Sequence, residues 1–378
     1  LSNKVLDVEV VTCKYLFDFL LFSEHWQPVD KLLTLGISDY SLVSYFCRTA
    51  KGHGGTAIFK RNASMIETTT LNVQTQPCES HVEFCGINIP LLNMVLLVIY
   101  RPPSGNINLF LDILENLLVE IMGLNKNMVI CGDFNINFLD NTSLTTAIFT
   151  DIVSSFELKI LINEPTRIHK NSRSCLDNFL VSKVFKFDIQ NQDMALSDHH
   201  GQTLTIYTLN NCNENITPDY RKRRLFSGQS FNNFLSYLVQ ENWDQVYQCT
   251  NSNEAFNYFF EIFRYYFELC FPFKTLRIAK NGKRPNKQPW ITRQLVDLKN
   301  RVIDYRIMSK SFPVLSTVYR NLHIHYQQQL VVSKKLYYDN MLTNSSNKMK
   351  TTWNIINSIK KSNKNTYIKL LKNGIEVS

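Results

Sequence analysis

The sequence predicts a mixed α/β chain, β-rich with flanking helices to about residue 210, then basic and mostly helical. Three observations carry this. Short apolar runs bounded by glycine or polar residues recur through the first body, at 20–22, 83–88, 94–100, 128–131, 158–162, 176–181 and 203–207. Between them, residues 108–122 place apolar side chains at 110, 111, 114, 117, 118 and 121, the period of an amphipathic helix. Charge then divides the chain: residues 1–214 hold 15 Lys and Arg against 22 Asp and Glu (net −7), residues 215–378 hold 26 against 10 (net +16).

Taken in order, the chain reads as helix to about Phe19, then a strand through Leu20, Leu21 and Phe22 with Glu24 just beyond its end. A glycine turn at 52–55 feeds a strand to Arg61, and two further strands precede the 108–122 helix. The central strand, Met128 to Cys131, stops at Gly132, and Asp133, Phe134 and Asn135 follow. Glycine permits a sharp turn there, so Asp133 and Asn135 are expected on one side of a cleft. A helix at 147–155 and the last strands complete the first body, with 209–217 as a polar linker. Beyond it come Arg221 to Arg224 (RKRR), helical spacing through Phe231, Phe234, Leu235 and Leu238, and again through Phe256, Phe259, Phe260, Phe263 and Phe267. A basic connector at 274–287 leads to a long amphipathic helix through Ile291 to Tyr305, which Pro313 breaks, and an antiparallel partner through Val318 to Tyr337. Most of these aromatics are expected to be helix core rather than base-stacking platforms.

With 44% hydrophobic and 12% aromatic residues, the 378-residue chain can build sizeable cores. No apolar run approaches the roughly 20 residues of a spanning helix, so no membrane role is expected. Nine cysteines, widely spaced and without a C-x-x-C pair, point to reduced thiols in an intracellular compartment rather than a zinc site or disulfide framework.

The strand ends of the first body carry Glu24, then Tyr100 and Arg101, then Asp133 and Asn135, then Asp177, then Asp198 and His199. Any one of these reads more plainly as a backbone cap. Strand after strand ending in an acid, amide or imidazole is what phosphodiester cleavage needs: a hard divalent ion, a base and donors to the phosphate. Mg²⁺ prefers oxygen ligands and takes one or two carboxylates with water, a role open to Glu24 and Asp198. His199 can handle a proton with Asp177 fixing its tautomer.

Six motifs in order, SEHW (Ser23 to Trp26), YRPPSG (Tyr100 to Gly105), GDFN (Gly132 to Asn135), PTR (Pro165 to Arg167), LDNFLVS (Leu176 to Ser182) and SDHH (Ser197 to His200), resemble the endonuclease/exonuclease/phosphatase family. More narrowly, they resemble the apurinic-type endonuclease domain of jockey-like non-LTR retrotransposons. The segments Pro289 to Thr292 (Pro-Trp-Ile-Thr) and Thr352 to Asn357 are similar to the region preceding the reverse transcriptase in such polyproteins.

The resemblance implies a four-layer sandwich of two packed β-sheets flanked by helices over residues 1–210, lacking its first strand, then a basic linker at 211–230 and a helical connector at 231–378. It implies Mg²⁺- or Mn²⁺-dependent nicking of DNA to leave a 3′ hydroxyl that primes reverse transcription, with DNA and element RNA as partners and a nuclear location. Its catalytic residues would be Asp133, Asn135, Asp177, His199 and Tyr100, its metal residues Glu24 and Asp198, and its DNA contacts Arg101, Thr166 and Arg167. The family's first motif, a strand ending in a metal-holding Asn, would precede a segment like 1–9, so a weakened sheet and metal site are expected. No Tyr-x-Asp-Asp polymerase signature occurs, and no reverse transcriptase activity is ascribed to the chain. Two other functions compete: a truncated element remnant that binds nucleic acid without cutting, and a phosphoesterase of small or lipid phosphates. The +16 half and Pro289 to Thr292 favour nucleic acid over the latter.

Overall fold

A computed structural model of the chain describes residues 1–49, 53–169, 172–207, 219–224, 228–278 and 288–360, with 371–372 and 375–376. The expected linker at 209–217 and the lysines at 280–287 lie outside them. The chain forms two compact units, one of residues 1–212 with 284–378, the other of residues 213–283. Residues 284–378, expected in the connector, group with residues 1–212.

In the larger unit, α1 (Val5–Lys14) leads to β1 (Phe19–Ser23), α2 (Val29–Thr34), β2 (Tyr40–Phe46) and β3 (Thr56–Arg61), and the strands form a sheet in the order β1-β3-β2. The chain then runs through β4 (Thr69–Thr70), β5 (Glu83–Ile89), β6 (Met94–Tyr100), α3 (Ile107–Gly123), β7 (Asn127–Asp133), α4 (Leu144–Ser155) and β8 (Leu158–Ile160). After the β9 (Arg167–His169) and β10 (Ser172–Ser174) hairpin comes β11 (Asp177–Ser182), which completes a six-stranded sheet, β4-β5-β6-β7-β11-β8. The hairpin of β12 (Lys186–Gln192) and β13 (Gly201–Tyr207) follows.

Apolar side chains sort these elements into layers. Leu97, Ile99 and Ile130 of the large sheet meet Phe110, Leu114 and Leu118 of α3 and Phe149 and Val153 of α4. The other face (Cys85, Leu96, Val98, Val129, Cys131) meets Ile58, Phe19 and Leu21 of the small sheet and Phe187, Ile189, Leu204 and Ile206 of the β12–β13 hairpin. Val8 of α1 and Leu32 of α2 cover the far side of the small sheet at Leu20, Ala57 and Phe59. The result is the four-layer arrangement, helix–sheet–sheet–helix. Asn106 caps α3 by accepting from the Asn108 and Leu109 amides, which fixes where the helix begins.

Farther along, α8 (Arg293–Ser311) and α9 (Ser316–Thr343) flank a turn at Pro313–Leu315, where the sequence places its proline break. Trp290 and Ile291 are buried with Leu295, Val302, Tyr326 and Leu330 against Val10 of α1, and the Thr292 hydroxyl caps α8 by accepting from the Leu295 amide (3.2 Å). The Pro-Trp-Ile-Thr segment thus starts and seats a helix.

The smaller unit contains β14 (Asp219–Arg224) paired with β15 (Phe273–Ile278), and α5 (Gly228–Gln240), α6 (Asp244–Gln248) and α7 (Ser252–Cys270). The RKRR cluster, expected in a linker, is strand here. Arg224 donates to the Phe271 carbonyl (2.6 Å), pairs with Glu268 and lies 4.0 Å from the Phe273 ring centroid. Phe234, Phe263 and Phe271 form the expected aromatic core, while Phe256 and Phe260 are exposed. No described helix is long and apolar enough to cross a membrane.

Candidate active site

The site is built where parallel β6 and β7 and antiparallel β11 end together: Tyr100 pairs with Asp133, and Asp133 with Asp177. This register is why strand-end residues distant in sequence become neighbours. Gly132 makes it possible, for a reason other than the expected turn. It remains in the ladder at φ +149, and a Cβ there would lie 1.7 Å from the Ile99 carbonyl oxygen, so only glycine lets β6 and β7 close at this point. The turn comes at Asn135, whose φ is 49.

Among the described residues, Asp133, Asp177 and His199 are the one group of three whose ligand atoms all lie within 4.8 Å of one another. Asp133 is buried, and burial together with the Asp177 charge pushes its carboxyl well above the ordinary carboxylate range; Glu24 adds to the effect. His199 Nδ1 donates to Asp177 Oδ2 (2.8 Å). Burial alone would discharge that ring, yet the Asp177 hydrogen bond and charge, with Asp133 and Asp198 behind them, push its pKa up to about 9. Next to it, His200 does the opposite: neither ring nitrogen is hydrogen-bonded, and burial lowers its pKa.

Tyr100, at the end of β6, donates its hydroxyl to Glu24, at the end of β1. Burial, reinforced by Glu24, raises the phenol pKa, so the group stays a neutral donor. Asn135 folds back over Asp133: its backbone N–H donates to Asp133 Oδ1 (3.0 Å) and its side-chain amide to the Arg101 carbonyl (2.8 Å). Phe134 anchors this loop from beneath, buried between Phe149 (5.3 Å) and Phe138 (5.9 Å).

Three expected residues take other places. Arg101 is buried, and its guanidinium donates to the carbonyls of Phe134 (2.7 Å), Asn135 (2.7 Å) and Gly105 (3.1 Å); it braces the loop rather than facing DNA. Thr166, expected to line a DNA groove, is fully buried, donates to Asp177 Oδ2 (2.7 Å) and accepts from the Leu176 and Asp177 amides, which aims the Asp177 carboxylate. Asp198, expected beside the metal with Glu24, pairs with Arg167 (2.8 Å) at the half-exposed surface, outside the cluster. Arg167 itself is partly exposed.

Two residues at the site carry no signal in the sequence. Glu83 opens β5 opposite Tyr100, is wholly buried, and accepts from Arg48 Nε (2.5 Å) and the Gly55 amide (2.6 Å). The Arg48 charge in turn acts on Tyr100. Their sequence separation of 35 residues hides this pair.

The chemistry of the donor set fits a divalent cation. Carboxylate oxygens in the Asp133, Asp177 and His199 cluster are hard ligands, and the burial and neighbouring negative charge that raise Asp133 are what a cation relieves.

Comparison with known proteins agrees with the six-motif resemblance. Residues 94–202 match the family model described as endonuclease–reverse transcriptase. A search of curated proteins finds no match. Among solved structures, the chain is similar to the endonuclease domain of TRAS1, a telomere-specific non-LTR retrotransposon (18% identity, 55% of this chain and 92% of that one, TM-score 0.40). It is likewise similar to a 3′-5′ exonuclease of Neisseria meningitidis (14%, 54% and 94%, 0.42) and an AP endonuclease of Archaeoglobus fulgidus (14%, 55% and 95%, 0.40). Scores of this size carry no functional conclusion.

Proposed function

Because residues 94–202 match the family model described as endonuclease–reverse transcriptase, we propose that the chain is a DNA endonuclease. It hydrolyses one phosphodiester bond with Mg²⁺ or Mn²⁺ and leaves a 3′ hydroxyl able to prime reverse transcription. The observation that carries this reading is the Asp133, Asp177 and His199 cluster, two carboxyls and an imidazole converging where three strands end.

Water attacks phosphorus, the P–O3′ bond breaks, and the departing 3′ oxygen takes up a proton. His199, held charged by Asp177, presents Nε2–H to a non-bridging phosphate oxygen, where negative charge grows in the transition state. Asp177 orients that ring and is itself aimed by Thr166. Asp133, whose buried carboxyl is raised and protonated near neutral pH, gives its proton to the departing 3′ oxygen and is recharged from the attacking water. Asn135 and Tyr100 offer neutral donors to the phosphate, and Arg101 keeps the Asp133–Asn135 loop in register. Glu24 would hold a divalent cation, which would supply Lewis-acid stabilisation of the phosphate. Arg167, exposed beside Asp198, contacts the DNA backbone.

The product distinguishes this chemistry. Nicked plasmid made by the chain with Mg²⁺ should be extended directly by a DNA polymerase, and EDTA should abolish nicking. Nicks that polymerase extends only after a 3′-phosphatase treatment would contradict the proposal.

A further inference from the structure

We infer that α8 is a working part of the active site: Arg306 and Lys310 are positioning residues that hold the 193–199 loop, and through it His199. The inference rests on the endonuclease reading above. The loop leaves β12 at Gln192 and enters β13 at Gly201; its far end is held by a bridge between His199 and Arg167 and by the His200 amide, which donates to the Thr166 carbonyl (2.7 Å). Residues 193–198 have no ladder, so their support has to come from elsewhere.

That support comes from α8. Asp193 is buried; its Oδ1 accepts from the Ala195 amide (2.9 Å), and its Oδ2 accepts from Lys310 Nζ (2.7 Å) and Arg306 Nε (3.1 Å). Burial raises that carboxyl, but Arg306 and Lys310 overcome it and hold the group below the ordinary carboxylate range. Arg306 also donates to the Ser197 carbonyl. Lys299 Nζ reaches the Ala195 carbonyl (3.4 Å) while paired with Asp7 of α1 (2.9 Å). Positions 299, 306 and 310 fall on one helical face, so a single helix grips the loop at three points. Ala195, in the left-handed region (φ 51), is inserted among Trp290, Leu295 and Val302. From the held Ser197, the hydroxyl accepts from the His199 amide (3.1 Å), two residues from the grip.

The same geometry accounts for some of the basic residues of the second half. Arg306 and Lys310 are spent on Asp193, and Lys334 on Glu9 (3.1 Å), so part of the charge contrast between the halves is satisfied within the protein. A cation reserved for DNA phosphate would not be tied to a buried carboxylate.

The test compares the full chain with Arg306→Gln, Asp193→Asn and the double variant, in single-turnover nicking at saturating DNA and in DNA binding against salt. Arg306→Gln should lower the cleavage rate about 10- to 100-fold by displacing His199. KM for DNA and the salt dependence of affinity should stay as they were. Asp193→Asn should lower the rate in the same direction although it makes the protein more basic, and the double variant should be no slower than the worse single one. A phosphate contact would instead raise KM, reduce the salt slope by about one and leave Asp193→Asn as fast as the parent or faster; that result overturns the inference. Amide hydrogen exchange separates failure of this inference from failure of the nuclease reading. Even if the parent does not nick, residues 195–199 should exchange faster in Arg306→Gln, and unchanged exchange overturns the brace. If Arg306→Gln does not fold, Lys310→Gln takes its place with the same outcomes.

Discussion

Two clusters of buried charge in the larger unit are put to opposite uses. At the strand ends, two carboxyls and one imidazole converge; burial and the Asp177 charge raise Asp133, and the Asp177 hydrogen bond and charge overcome burial to raise His199. Along α1 and α8–α9, acids meet their partners directly: Asp7 with Lys299 (2.9 Å), Glu9 with Lys334 (3.1 Å), Asp193 with Arg306 and Lys310. The first arrangement stores unmet charge where a cation and a phosphate can use it. The second cancels its charge and fixes geometry. What separates a reactive cluster from a structural one here is the balance of sign within a few ångströms, since both are buried.

Substitutions should therefore break the two clusters differently. At the strand ends, Asp177→Asn should cost about 10²- to 10⁴-fold in nicking rate with little change in DNA affinity. It should also move the alkaline limit of activity. In the parent, the charged His199 persists to about pH 9, and without the Asp177 charge that limit should fall toward the ordinary 6.5, as a pH–rate profile would record.

In the seam, Lys299→Met should leave Asp7 buried without its ion pair and destabilise the protein by about 3–5 kcal/mol in urea unfolding. The double variant Asp7→Leu/Lys299→Met should recover most of that loss, because a paired charge exchanged for matched apolar volume is near neutral. No such rescue is expected at the strand ends, where function requires the charge.

Stability against pH gives a smaller contrast. The folded pKa of His199 lies above its unfolded value, so its contribution is present in full below about 6.5 and is lost as pH rises through about 9. The melting temperature should fall across that window, by about 2–4 °C for each kcal/mol lost, and Asp177→Asn should flatten the fall. Smallest of all, Asp198→Asn should change stability by less than about 1 kcal/mol, since its pair with Arg167 is largely solvated.

The strands, α3 and the strand-end constellation were legible because short apolar runs, a 3.6-residue stripe and polar residues at strand ends are local patterns. Asp133, Asp177 and His199 fall together for that reason. Local patterns do not report direction, however. Arg101 and Thr166 occupy the motif positions expected, yet turn inward to carbonyls and to Asp177. Gly132 was visible as a breaker, but its close approach to Ile99 depends on a strand 33 residues earlier. The β12 strand lies outside the expected runs, although Phe187 and Ile189 alternate as a half-buried strand requires. Least legible was the α8 brace, whose contacts join residues 104 to 117 positions apart and leave only a contrast of net charge in the sequence.

The most direct test of the central claim is conversion of supercoiled plasmid to open circles with Mg²⁺, comparing the chain with His199→Ala. The account predicts nicking by the parent that falls at least about 100-fold in the variant and disappears with EDTA. Equal nicking by parent and variant would contradict it, as would salt-sensitive DNA binding with no nicking by the parent.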